Sequence, residues 1–249
     1  MKALWWFAGG TAIGAAAMAV TVAAAAGLGP VSVDELTSVS GAGTPTFAIR
    51  DSFTAGNGTR INARSLELDP TNALTGFSSA NAPSWTAANA WRVQSNAARR
   101  SGGGGTLAAW VPFTAQDGYV RGVFTNFANS NQTQGFALCY DPGTDSGVSV
   151  VVRRISGPVR WYFELGTLTG GSFSPTSSVL LGQGNGARPL NTEVRLTISD
   201  GTATASLGGV DQFTLGVTPA NCPGTAAAMV SYTNAAATRF DDFLAVKTG

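Results

Sequence analysis

The sequence predicts an all-β body, an antiparallel sandwich or barrel, behind a short apolar N-terminal segment. Three observations carry this. From about residue 47 onward, short runs that alternate apolar and polar residues recur between Gly, Pro, Asn and Asp turn signals. No stretch of that body keeps a 3.6-residue apolar period for long enough to read as a helix. The composition agrees: Gly supplies 32 of 249 residues, and charged side chains make up only 12%, about half the usual share of a soluble domain.

In chain order, residues 1–29 come first. From Ala3 to Val33 no side chain is charged, and most are Ala, Gly or apolar. As a helix, residues 3–27 would run about 37 Å, enough to cross a hydrocarbon core of roughly 30 Å. Three readings compete. A signal peptide would start at Lys2 and be cut after the small residues Ala24-Ala25-Ala26. A membrane anchor would keep Lys2 inside and Asp34-Glu35 outside. A protein-packed assembly helix would use Gly10 and Gly14, a GxxxG pair that lets helices approach closely. The chain carries Met1, and we expect a retained segment that mediates self-association. Residues 30–46 follow as a Gly/Ser/Thr/Pro linker.

Strand candidates then run Thr46–Phe53, Trp91–Ala97, Leu107–Phe113, Tyr119–Phe127, Gly135–Tyr140, Val148–Arg154, Val159–Leu165, Glu193–Ser199, Thr202–Leu207, Gln212–Val217, Ala227–Tyr232 and Phe240–Val246. The clearest hairpin joins Glu193–Ser199 to Thr202–Leu207. Val194, Leu196 and Ile198 alternate with polar residues, and Asp200-Gly201 is the pair that a type I′ turn favours. About a dozen strands without intervening helices call for stacked antiparallel sheets or a barrel, and periodicity does not choose between them.

The order of several motifs is more specific. Asp51-Ser52-Phe53 opens the body, followed by Ser84-Trp85 and by Trp91-Arg92-Val93-Gln94-Ser95-Asn96. Then come Gly135-Phe136-Ala137-Leu138-Cys139-Tyr140-Asp141-Pro142, the Glu193–Leu207 hairpin, and a closing Arg239-Phe240-Asp241-Asp242-Phe243. Over residues 47–249 this succession resembles the concanavalin A-like (LamG-type) jelly rolls of many bacterial and phage proteins. The resemblance implies a jelly-roll β-sandwich of two antiparallel sheets, one of them concave and often the binding face. It also implies that the opening and closing motifs lie near each other. It supplies no ligand by itself.

Composition removes several chemistries. With no His there is no Ser-His-Asp or Cys-His machinery and no imidazole metal ligand. Two Cys cannot build a four-thiolate zinc site. A formal charge of +1 gives no field for nucleic acid. Related jelly rolls include glucanases, whose catalytic strand reads Glu-x-Asp-x-x-Glu. None of the four glutamates Glu35, Glu67, Glu164 and Glu193 opens that full pattern, so we expect no enzyme.

Carbohydrate binding needs aromatic platforms beside amides or carboxylates. The loop around Phe127 offers Asn126, Asn129, Asn131, Gln132 and Gln134, and Trp161-Tyr162 should send one ring to the core and one outward. An amide-rich loop is equally an ordinary solvated turn. Trp85, Trp91 and Trp110 are expected in the core, and Arg99-Arg100 and Arg153-Arg154 at solvated strand ends. No cofactor is expected; a structural Ca²⁺ could use Asp51, Asp241 and Asp242, although such acids more often cap strand ends or pair with the adjacent Arg50 and Arg239. Cys139 and Cys222 could form one disulfide in an oxidising setting or remain buried thiols.

These readings favour a structural and adhesive subunit of a phage virion. Residues 1–29 would join it to itself and to other virion proteins, and its jelly roll would face cell-surface glycans. The alternatives are a secreted or membrane-anchored bacterial lectin-like protein, with membrane contact through residues 3–27, and, last, a jelly-roll glycoside hydrolase.

Overall fold

The computed structural model describes residues 45–64, 66–68, 84–87, 91–102, 106–113, 117–232 and 237–248. The apolar segment with Gly10 and Gly14, and the linker before Thr44, lie outside the described residues. The described chain forms β1 (Pro45–Asp51), β2 (Glu67–Leu68), β3 (Thr86–Ala87), β4 (Trp91–Val93), β5 (Ala98–Arg100), β6 (Leu107–Pro112), β7 (Gly118–Asn126) and β8 (Gln132–Asp141). It continues through β9 (Ser146–Ile155), β10 (Arg160–Thr169), β11 (Ser172–Gln183), β12 (Glu193–Ser199), β13 (Thr202–Leu207), β14 (Val210–Gly216), β15 (Ala226–Ser231) and β16 (Arg239–Thr248).

The strands assort into two antiparallel sheets. One runs β14-β13-β12-β7-β16-β1-β2, with β5 on β16 and β4 on β5; the other runs β11-β10-β9-β8-β15-β6-β3. Sequence-adjacent hairpins build one side of each sheet. The chain's beginning and end supply the middle of the other side, where β16 lies between β1 and β7 and β15 lies between β6 and β8. This is a jelly-roll sandwich, and it places the opening strand β1 directly against the closing strand β16. The hairpin β12–β13 turns at Asp200 and Gly201 with φ +49° and +69°, the left-handed pair that matches strand twist.

Strand β11 escapes the periodicity rule because its residues Ser-Phe-Ser-Pro-Thr-Ser-Ser-Val-Leu-Leu-Gly-Gln barely alternate. It is an edge strand, and two register shifts against β10 bend it. The short β2, β3 and β5 also fall below what alternation can reveal.

Between the sheets lies an aromatic core. Phe124 packs on Phe127 and Phe240 at centroid distances of 4.9 and 5.0 Å, and Phe127 on Trp161 at 4.8 Å. Trp85 and Trp91 are buried, whereas Trp110 is half-buried with the second apolar cluster of Ala137, Ala228 and Val230. Cys139 and Cys222 are disulfide-bonded, tying β8 to the crossover that leads into β15.

Asp51 is a structural hub at the end of β1. It is fully buried, and its Oδ1 accepts from the Phe53 amide at 2.7 Å and Arg64 Nη2 at 2.9 Å. Its Oδ2 accepts from the Trp85 indole at 2.7 Å. The arginine that pairs with it is therefore Arg64, not the adjacent Arg50 or Arg239. Nor are all the double arginines solvated ends: Arg100 is buried, donating to the carbonyls of Gly102 and Ser231, and Arg154 is buried over Trp161.

Candidate functional site

Strand alternation decides what the seven-stranded sheet shows to the outside. Val148, Val150 and Val152 of β9 and Trp161, Phe163 and Leu165 of β10 join the core. Their neighbours Ser149, Val151 and Arg153, and Tyr162, Glu164 and Gly166, therefore face outward. The register lays these in rows across the sheet. Leu180, Tyr162, Arg153 and Thr133 form one row, and Ser178, Glu164, Val151, Gly135 and Val230 the next. Pro175, Gly166, Ser149, Ala137, Ala228 and Trp110 form the third.

This face is concave. In a flat sheet, β11 and β15 would stand about 19 Å apart, four strand spacings. Yet Phe173 of β11 lies 5.4 Å, ring to ring, from Tyr232 directly after β15. The β10–β11 hairpin curls back over the sheet, and its tip is fastened there. The Gly171 amide donates to the Asp145 carbonyl at 3.0 Å, and Thr106 Oγ1 donates to the Gly171 carbonyl. Bulges between β10 and β11 help to bend the sheet.

Gly166 sits where β11 leaves no room for a side chain on β10. A Cβ there would stand 2.1 Å from the Ser174 carbonyl oxygen and 2.8 Å from Pro175 Cα. Gly166→Ala is expected to push β11 off β10 and cost about 1–3 kcal/mol. Urea unfolding checks this, and a midpoint equal to wild type would refute the close approach.

The trough encloses about 440 Å³, lined by Thr106, Thr133, Arg153, Glu164, Phe173 and Tyr232 among others. Glu164 is completely buried at its floor. Arg153 grips it through Nε at 2.8 Å and Nη2 at 2.6 Å, and Ser178 Oγ donates to it at 3.0 Å. The Arg153 guanidinium also lies 4.8 Å from the Tyr162 ring centroid, a cation–π contact. Its bond to Glu164 raises the Arg153 pKa above the ordinary arginine value, so the guanidinium keeps its charge. The Tyr232 hydroxyl donates to Ser149 Oγ at 2.9 Å, and Ser149 donates onward to the Phe136 carbonyl at 3.0 Å. Burial pushes the Tyr232 phenol up, and burial together with Asp145 pushes Tyr140 up, so both remain neutral.

The amide loop folds on itself instead of presenting its groups. Phe127 is buried against Trp161 and Phe124, and so offers no outward platform. Gln132 is buried, donating to the Ala128 carbonyl and accepting from Thr238. Gln134 is buried as well. Asn126 donates to the Ala237 carbonyl at 2.9 Å, and Asn131 Oδ1 accepts the Ser156 amide and hydroxyl, each at 2.6 Å. Asn129 is exposed. Of the adjacent aromatics, Trp161 is in the core with its indole donating to Gly184, and Tyr162 faces outward beneath Arg153. The trough shares only Tyr162's row with the expected set.

The acids considered for calcium are otherwise engaged. Both carboxylate oxygens of Asp51 are occupied by protein donors. Asp241 Oδ1 accepts the Asp242 amide at 2.9 Å, while Asp242 is exposed at φ +50° on a bulge of β16. Among the described residues, no group of three His, Cys, Asp or Glu side chains is placed to hold a metal.

Among the trough residues, Arg153, Glu164, Phe173 and Tyr232 lie outside the set expected from sequence. Arg153 and Glu164 stand on outward positions of adjacent strands, which their alternation with Val152 and Phe163 signals. Phe173 and Tyr232 carry no such signal, because their meeting depends on sheet curvature. Glu67-Leu68-Asp69 comes nearest the glucanase strand pattern, but Asn72 stands where its second glutamate belongs. Among the described residues lining the trough, Glu164 is the only carboxylate.

Fold and site together define a two-sheet antiparallel jelly-roll sandwich whose seven-stranded sheet is curled on its outward face. No family model matches the sequence, and no curated protein does. Among solved structures, the chain is similar to the carbohydrate recognition domain of Emp47p at 13% identity and TM-score 0.47, covering 82% of this chain and 96% of that one. It is also similar to the carbohydrate-binding module CBM66 from Bacillus subtilis, at 9% identity and TM-score 0.40, covering 66% and 92%. A Bacillus licheniformis β-glucanase is similar at 10% identity and TM-score 0.42, covering 82% and 99%.

Proposed function

We propose that this chain is a non-enzymatic carbohydrate-binding protein and that the glycan lies in the trough on the outer sheet. The observation that carries this reading is the lining itself. A sugar ring presents both C–H faces and hydroxyls, and the trough sets the Phe173–Tyr232 wall beside the Arg153–Glu164 pair within one cavity. Hydrolysis would need a second carboxylate and an acid that can give up a proton. Glu164 instead is clamped by an arginine and a serine.

Tyr232→Ala is expected to weaken glycan binding by about tenfold or more. The binders would come from a glycan array and be titrated by calorimetry, with EDTA making no difference. Unchanged affinity in a variant that melts like wild type would move the ligand elsewhere.

For the wider setting we propose that the sandwich faces outward on a virion appendage, joined to its assembly through residues 1–29. The support is the uncharged Ala/Gly-rich run with Gly10 and Gly14, suited to close helix packing. Intact mass and oligomeric state of native material test this. A full-length subunit in an oligomer that Gly10→Ile disrupts is the expected result. A monomer lacking that run would instead favour the secreted lectin-like alternative.

A further inference from the structure

We infer, resting on the carbohydrate reading above, that the trough selects neutral glycans over acidic ones and that the Arg153–Glu164 pair sets this choice. Among the described lining residues, these two carry the only charges. They cancel, because Glu164 receives two hydrogen bonds from Arg153 and lies fully buried beneath it. Uronates, sialates and sulfated or phosphorylated sugars would therefore bring a negative charge to a floor whose cation is already committed.

The surroundings add repulsion. Asp145 stands at the curled hairpin tip, its Oδ2 only 3.0 Å from where a Cβ on Gly171 would lie. Counting Arg153 as +1 and Glu164 and Asp145 as −1 each, the local balance is one negative charge. Among the described residues, the other arginines beside the trough stand outside its lining, and Arg100 is buried on the Ser231 carbonyl, one residue before Tyr232. Arg154 is on the core side of β9 over Trp161, and Arg160 lies at the start of β10, outside the lining.

Hydroxyl recognition survives this neutralisation. Arg153 spends Nε and Nη2 on Glu164, so Nη1 can still donate to a sugar oxygen. Its guanidinium is only partly covered, with the side chain 35% exposed. The Glu164 carboxylate thus works as a fixed counter-charge, holding the guanidinium over Tyr162 and removing its attraction for anions.

The test uses the full chain against paired oligosaccharides that differ only in a carboxylate, glucose-based oligomers and their glucuronate counterparts. On the array scaffold that binds, the neutral member is expected to bind at least about tenfold tighter. Its Kd should change by less than about twofold between low and high salt, since the neutral ligand brings no charge to be screened. Glu164→Gln keeps the side chain's shape and frees one positive charge. It should shift the neutral-to-acidic ratio by about tenfold toward the acidic sugar.

An acidic counterpart that binds wild type as tightly as the neutral one overturns the selectivity while leaving the carbohydrate reading intact. So does a steep salt dependence of neutral binding. If no glycan binds at all, the carbohydrate reading falls and this inference with it. Should Glu164→Gln fail to fold by circular dichroism, the wild-type pair comparison and its salt dependence still decide.

Discussion

Asp51→Ala is expected to lower the unfolding free energy by about 3–5 kcal/mol. The wild-type carboxylate is fully buried and accepts hydrogen bonds from Phe53, Arg64 and Trp85. Truncation removes these and leaves the Arg64 guanidinium, itself only 9% exposed, without this counter-ion. Breaking one side of a buried ion pair costs more than the pair is worth, because the remaining charge stays desolvated. The Trp85 indole would lose its acceptor in the same place, where it packs 5.9 Å from Phe53 and 4.8 Å from Phe243.

Urea denaturation followed by tryptophan fluorescence measures the effect. Pairing Asp51→Ala with Trp85→Phe in a double-mutant cycle should show strong non-additivity, since both changes remove the same bond. Additive losses would mean that the indole–carboxylate contact contributes little.

Loss of the Cys139–Cys222 bridge is of similar size, at about 4.5 kcal/mol on the chain-entropy model. The two residues are 83 positions apart, so the bond closes a large loop in the unfolded chain. Cys139→Ala with Cys222→Ala should therefore lower the urea midpoint. It should also steepen the dependence on urea, because an unbridged unfolded chain exposes more surface. The bridge also has local support: the Gly224 amide donates to the Cys139 carbonyl at 2.9 Å, holding the crossover against β8. Equal midpoints for the oxidised protein and the double variant would show that the bond adds no stability.

The residues that sequence reading placed well were those whose role is local. Val194, Leu196 and Ile198 alternate on β12, the Asp200-Gly201 turn follows, and each is decided by neighbours two or three positions away. The motif order from Asp51 to Phe243 led to the jelly roll because it records which strands meet, and β1 and β16 do pair. The disulfide was legible only as one of two states for Cys139 and Cys222, since spacing says nothing of approach.

The candidate site was harder, and for a physical reason. Composition favoured the amide-rich loop at Asn126–Gln134, yet amides are as good at satisfying their own backbone as a ligand. Gln132 and Asn131 do the former. Phe127 looked available because its neighbours are polar, but it closes the core against Trp161.

The sequence by itself determined the all-β class, the main hairpins, the absence of histidine chemistry and the lack of a glucanase-type carboxylate strand. Those follow from residue identity and from a period of two. Only the tertiary structure decided that Arg153 and Glu164 neutralise each other on the outer sheet, and that Phe173 reaches Tyr232 across strands that a flat sheet would keep about 19 Å apart. Bulges and the close approach at Gly166 curl that sheet. Curvature is a property of the whole sheet, set by many strands together, and no single run of residues contains it.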